Sequence, residues 1–234
     1  MGVTMISGGV PAGGATACET AGCDGTYMFC WTGDLADTDE ACFANGTVQK
    51  DGAVTGGAIG TDGGEVGNGY RKTANNQNIL WLVEADDGIS DDQGTIWMSI
   101  RVADSADASA GVLESYIGTA DKLLLVARPA TNLVRFLHYG TATSDNVYSV
   151  ATWTDATWTR ISASWRVGGA GDAESAGVAG SWADDASANL DVFASAADDV
   201  TIGENSTGGG ETTQIDIDNV YITAGYKDAD PYVP

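Results

Sequence analysis

The sequence predicts an all-β fold built as an antiparallel sandwich, and three observations support this. Short apolar or alternating runs recur along the chain, while helical periodicity is almost absent. Thirty-two glycines, with clusters of Ser, Thr, Asn and Asp, punctuate those runs as turns. A length of 234 residues suits one large β-domain, and 43% hydrophobic content suffices for a core.

The expected strands follow in order. Residues 26–31 and 78–84 come first, then 95–102, where Ile96, Met98, Ile100 and Val102 share one face and Trp97, Ser99 and Arg101 the other. Residues 112–117, 122–128 and 133–139, separated by short polar turns, predict a meander of hairpins. Residues 147–153 lead through Thr154-Asp155-Ala156 into 157–167, where Thr159, Ile161, Ala163 and Trp165 alternate with Trp158, Arg160, Ser162 and Ser164. Residues 190–193, 200–202 and 214–223 complete the set. Residues 52–69, with eight glycines, read as loop, and 168–188 as a long loop or short edge segment. No fixed-period repeat is visible. The expected organisation is an N-terminal arm or lobe over residues 1–25 followed by a sandwich over 26–234.

Thirty-three acidic residues against ten basic ones give a net charge of −23. A field of that sign repels nucleic acid and anionic membrane surfaces. No apolar run approaches the roughly 20 residues that span a bilayer, so membrane insertion is not expected. Residues 1–17 lack a positive start, and Gly8, Gly9, Pro11, Gly13 and Gly14 interrupt any apolar stretch, so a secretory signal is not expected either.

Cys18, Cys23, Cys30 and Cys42 all lie in the first 42 residues. Without a Cys-x-x-Cys pair or a nearby histidine, they read as disulfides rather than a zinc site. Closing the smallest loops favours Cys18–Cys23 and Cys30–Cys42. Disulfides imply an oxidising final environment.

Three pieces of the chain, taken in order, resemble the laminin G-like domains of the concanavalin A-like lectin and glucanase superfamily. Gly94-Thr95-Ile96-Trp97-Met98-Ser99-Ile100-Arg101 is similar to the family's Gly-Thr-Ile strand. Trp158-Thr159-Arg160-Ile161-Ser162-Ala163-Ser164-Trp165 resembles its Trp-x-x-Val-x-Ala-x-(Trp/Tyr) strand. Val200-Thr201-Ile202-Gly203 with Ile215-Asp216-Ile217-Asp218-Asn219-Val220-Tyr221-Ile222 looks like its closing pair. The match covers residues 79–226; residues 168–188 replace the family's Val-Asp-Gly turn, and the first 50 residues match only faintly. The resemblance implies a jelly roll of two curved antiparallel sheets.

Because the superfamily includes glycoside hydrolases, catalysis needs a direct test. Retaining enzymes require two carboxyls about 5 Å apart. The nearest pattern here is Gln214-Ile215-Asp216-Ile217-Asp218-Asn219, where an amide stands at the nucleophile's place. Asp216 and Asp218 are therefore expected to tie the closing strand to a loop. His138 is the one histidine and has no triad signature around it; no nucleophile elbow, zinc helix or phosphate loop occurs. The expectation is a protein that is not an enzyme.

Two ligand sites are conceivable. Asp86, Asp87, Asp91 and Asp92 surround a turn at Gly88 and offer the hard oxygens that calcium takes, unless they are only a solvated loop. Asp34, Asp37, Asp39 and Glu40 form a second acidic loop. Among seven tryptophans, Trp31, Trp81 and Trp165 belong to the core, whereas Trp97, Trp158 and Trp182 are candidates for stacking on sugars, unless they too pack in the core or between the sheets.

The leading functional expectation is a non-enzymatic structural surface protein of a particle, a phage virion decoration or fibre-type subunit. Its partners would be copies of itself, a trimer for instance, a shell or fibre protein, and host glycans; its location would be the virion or an extracellular surface. The alternative is a calcium-assisted carbohydrate-binding module of a secreted microbial protein, with a glycoside hydrolase ranked third.

Overall fold

A computed structural model describes residues 17–23, 26–74, 76–83, 87, 89, 92–103, 110–117, 121–128, 131–139, 144–168, 172–185, 190, 199–203 and 214–231. In them the chain forms two antiparallel sheets. The first runs β15 (Ser181–Asp185), β14 (Ala173–Val178), β13 (Thr159–Arg166), β8 (Gln93–Val102), β17 (Ile215–Thr223), β1 (Phe29–Trp31), β2 (Ala41–Phe43) and β3 (Val48–Lys50). Two further strands join it: β6 (Gly69–Lys72) pairs with β17, and β5 (Ala58–Gly60) pairs with β6. The second sheet runs β12 (Ser144–Tyr148), β11 (Leu133–Tyr139), β10 (Asp121–Arg128), β9 (Ala110–Ile117), β16 (Asp199–Ile202), β7 (Asn78–Leu82) and β4 (Ala53–Thr55). The all-β sandwich expected from periodicity is the fold.

Alternation decides which side chains fill the space between the sheets. Ile96, Met98, Ile100 and Val102 of β8 all point into the core, joined by Ile161, Ala163 and Trp165 of β13 and by Val134 and Phe136 of β11. Aromatic contacts link the layers. Trp81 of β7 meets Phe29 of β1 at 5.2 Å and Trp31 at 6.1 Å, while Phe136 meets Trp165 at 6.3 Å. Trp31, Trp81 and Trp165, expected in the core, are at most 1% exposed.

Gly52 lies between β3 at the edge of one sheet and β4 at the edge of the other. A Cβ there would stand 2.5 Å from the Ile79 side chain and 2.8 Å from the Trp81 indole nitrogen, so only glycine lets the chain pass. The region read as loop thus holds two short strands, β4 and β5, which cross between sheets. Residues 168–188 likewise contain a hairpin, β14–β15, turned by Ala179 and Gly180 with φ of 48° and 76°. Its first strand, Ala-Glu-Ser-Ala-Gly-Val, is buried throughout. Small residues suit close packing on both faces, and the bulky alternation that marks a strand is therefore missing. The strand expected at 147–153 forms earlier, as β12, because the Ser149 hydroxyl bonds Val134 N and Ala151 O and turns the chain away. Leu190 is buried outside any strand, and 191–193 lie outside the described residues.

The disulfides are Cys18–Cys42 and Cys23–Cys30, which corrects the smallest-loop pairing. Cys30 and Cys42 stand opposite each other on β1 and β2, and both are fully buried beneath residues 17–23. Loop-closure reasoning treats the chain as free coil, whereas the sheet offers both cysteines to the overlying segment. That segment is also held by Tyr221 OH to Gly22 O at 2.6 Å and Thr32 Oγ1 to Ala21 O at 2.8 Å. Replacing Cys18 and Cys42 together by serine should cost about 3 kcal/mol in chemical denaturation while the sandwich still folds, because the main core contains neither residue.

Candidate functional site

β17 carries two acidic residues two positions apart, Asp216 and Asp218, in a strand buried along its whole length. A buried carboxylate has to be paired. Asp216 stands opposite Arg71 of β6 on one side and Arg101 of β8 on the other. Arg71 Nε donates to Oδ1 at 2.7 Å, and Arg101 donates to Oδ2 from Nη2 at 2.6 Å and from Nε at 2.9 Å. One carboxylate thus orients two guanidiniums in a row across three strands. Both also donate to the carbonyl of Asp62, Arg101 at 2.8 Å. The Arg101 guanidinium lies 4.9 Å from the centre of the half-buried Trp158 ring, a cation–π contact. Arg160, further along the face, is committed to Asp230 through two bonds of 2.8 Å.

Two open grooves flank this row. One, of about 300 Å³, is formed by residues 58–63 and Arg71; the other, of about 210 Å³, by Arg101, Ala103, Ala156, Gln214 and Asp216. A hollow of about 330 Å³ at the edge where the chain passes from β3 to β4 is lined by Lys50, Asp51, Ala53, Leu80 and Leu82. There the Lys50 ammonium is already held by Asp87 at 2.6 Å. The paired grooves therefore carry the better-organised polar groups.

Asp218 serves the architecture. After it β17 slips by one residue against β8, and its outer neighbour changes from β6 to β1. Asn219 takes the left-handed conformation this bulge needs, with φ of 50°. Asp218 Oδ2 accepts Glu65 N at 2.7 Å and Val66 N at 3.2 Å, and Oδ1 accepts Asn219 N at 2.7 Å. The expected role, tying the closing strand to a loop, is what these bonds perform. With Asp216 held by arginines and Asp218 roofed by residues 65 and 66, the two do not form an open carboxylate pair.

Burial pushes the Asp218 carboxyl up to about 7, against the lowering effect of its three backbone donors. The folded state then holds this proton more tightly than the unfolded chain, whose aspartates titrate near 4. The contribution is present below pH 4 and is lost as pH rises to 7. Melting temperature should fall between pH 4 and 8, and the Asp218→Asn variant should show a shallower fall by scanning calorimetry.

The remaining candidates are dispersed. Trp97, a candidate for sugar stacking or for packing, is only 5% exposed because residues 17–23 and the disulfides cover that part of the sheet. It packs edge-on against Trp182 of β15, ring centres 5.4 Å apart. Trp158 stands apart from both, preceding β13 by one residue, whereas Trp97 pairs with Ser162. The three tryptophans thus do not make one platform. Of the acidic loop, Asp87 is buried against Lys50, Asp92 is exposed, and Asp86 and Asp91 lie outside the described residues. The Arg71–Asp216–Arg101 row went unread because its members are 30 and 115 residues apart in sequence. Two acids in an otherwise apolar strand were the available signal that polar partners had to exist.

No protein-family model matches the chain, and no curated protein matches it in sequence. Comparison with solved structures finds the receptor-binding domain of botulinum neurotoxin type G, with a TM-score of 0.62 over 88% of this chain at 10% identity. The two-sheet antiparallel sandwich of this chain thus shares its fold with that domain. The binding domain of serotype D is similar at a TM-score of 0.61 and 9% identity over 87% of this chain. The binding domain of botulinum neurotoxin DC, solved in complex with rat synaptotagmin II, gives 0.61 at 8% identity, also over 87%. This chain spans about half the length of those domains, 49 to 50%.

Proposed function

We propose that this chain is a non-catalytic recognition module that binds carbohydrate across the two grooves beside Arg71, Arg101 and Trp158. The observation that carries this reading is the pair of guanidiniums fixed by one buried carboxylate between two open grooves. Sugar hydroxyls need donors and acceptors at set angles, and groups already held in place lose little entropy on binding. Arg71, Arg101 and Gln214 supply donors, the Asp62 side chain and groove carbonyls supply acceptors, and the Trp158 edge supplies apolar surface. The net charge of −23 disfavours polyanionic chains, so neutral glycans are the ligand class.

The solved domains are named for receptor binding, which supports recognition ahead of a virion decoration or fibre subunit. The two disulfides support an extracellular setting. A glycan array of neutral, sialylated and sulfated structures tests the reading. Binding to neutral members is expected, reduced roughly tenfold or more by Trp158→Ala while melting stays within a few degrees of the parent. Failure of every neutral glycan to bind, or full binding by the Trp158 variant, would overturn it.

A further inference from the structure

At the edge away from Gly52, the two sheets bring carboxylates together. Asp145 comes from β12 of the seven-stranded sheet; Glu174 and Asp185 come from β14 and β15, where they face each other in register. One oxygen from each of the three lies within 4.8 Å of the others, the one such cluster among the described residues. Glu174 is fully buried, and among the described residues neither of its oxygens has a hydrogen-bond partner.

Nothing in the grooves accounts for this. A carboxylate without a hydrogen bond, shut away from water beside two more acids, is costly for a fold to keep. Burial first, then the charges of Asp145 and Asp185, push the Glu174 carboxyl up to about 8, with Arg135 acting in the opposite sense. Arg135 points its guanidinium elsewhere, to Asn146 Oδ1 at 3.3 Å and over the Tyr148 ring at 5.5 Å. A divalent cation removes the conflict. Oxygens about 2.4 Å from a calcium ion can be at most about 4.8 Å apart, so the observed cluster fits around one ion. Three carboxylates without sulfur select a hard cation. His138, buried and opposite Asp145 in the β11–β12 register, is the neighbour through which a softer ion could compete.

We propose that Asp145, Glu174 and Asp185 form a calcium site that clamps the two sheets together at the β12 and β14–β15 edge. It differs from the acidic turn at residues 86–92 and is independent of the carbohydrate reading. The test titrates CaCl₂ into the chelator-treated full chain, followed by calorimetry and thermal melting. At a hundredfold excess over the dissociation constant, melting should rise by about 5 to 10 °C. Glu174→Gln, which keeps the side-chain shape, and separately Asp145→Asn should remove the shift, with circular dichroism confirming the fold. Asp92→Asn should retain it. Absence of any calcium shift in the parent overturns the proposal, as does a shift that survives Glu174→Gln or is abolished by Asp92→Asn. A parent that responds to Zn²⁺ and not to Ca²⁺ overturns the choice of ion.

Discussion

Replacing Trp81 with alanine is expected to lower the free energy of unfolding by about 3 to 5 kcal/mol. Trp81 has no exposed surface and is the point where the seven-stranded sheet meets Phe29 and Trp31 of the other layer. Around it the backbone is fixed: Asp39 O accepts both the indole N–H at 2.8 Å and Gly52 N at 3.0 Å. Little can collapse into the space an alanine would leave. Trp81→Phe keeps most of the ring and loses one hydrogen bond to a carbonyl that retains another, so its cost should be about 1 to 2 kcal/mol. Urea denaturation should show a lower midpoint for both variants with an unchanged slope, the alanine variant shifting further.

Asp216→Ala should cost about 3 kcal/mol, the second large effect. Removing one member of a buried ion pair leaves the other without compensation, and here two guanidiniums depend on one carboxylate. The arginine side chains are 27% and 29% exposed, so both can turn partly to water, which sets the cost at the lower end of the range for buried pairs. The same variant should lose glycan binding beyond what its stability explains, because the guanidiniums would no longer be held between the grooves. Arg101→Lys separates the two effects: it keeps the charge beside Asp216 but not the fork that bonds Asp216 and Asp62 together.

Much of the sandwich was legible because alternation is a local signal. In β8 the inward set Ile96, Met98, Ile100 and Val102 follows from period two alone. The same logic could not reveal β14, since Ala, Ser and Gly carry no bulk to alternate, nor that Trp97 on the outer face is buried. That burial depends on a segment more than 70 residues earlier, fastened by disulfides whose pairing the sheet decides. Site residues were partly legible. Alternation alone puts Trp158 opposite the apolar face of its strand, and the amide at position 214 points Asp216 and Asp218 to a structural part, which their bonds to Arg71, Arg101 and residues 65 and 66 fit. Which basic residues would meet Asp216, and that Glu174 would meet Asp145 across two sheets, depends on sheet order. Sheet order is a long-range property that no window of sequence contains.

The most direct test of the binding face is nuclear magnetic resonance of the isotope-labelled chain during titration with a neutral oligosaccharide chosen from the array. The account predicts shifts concentrated at the Trp158 indole N–H, the Arg71 and Arg101 Nε–H groups and the amides of residues 58–63. Shifts confined to the seven-stranded sheet, or to the hollow beside Lys50 and Leu82, would contradict it.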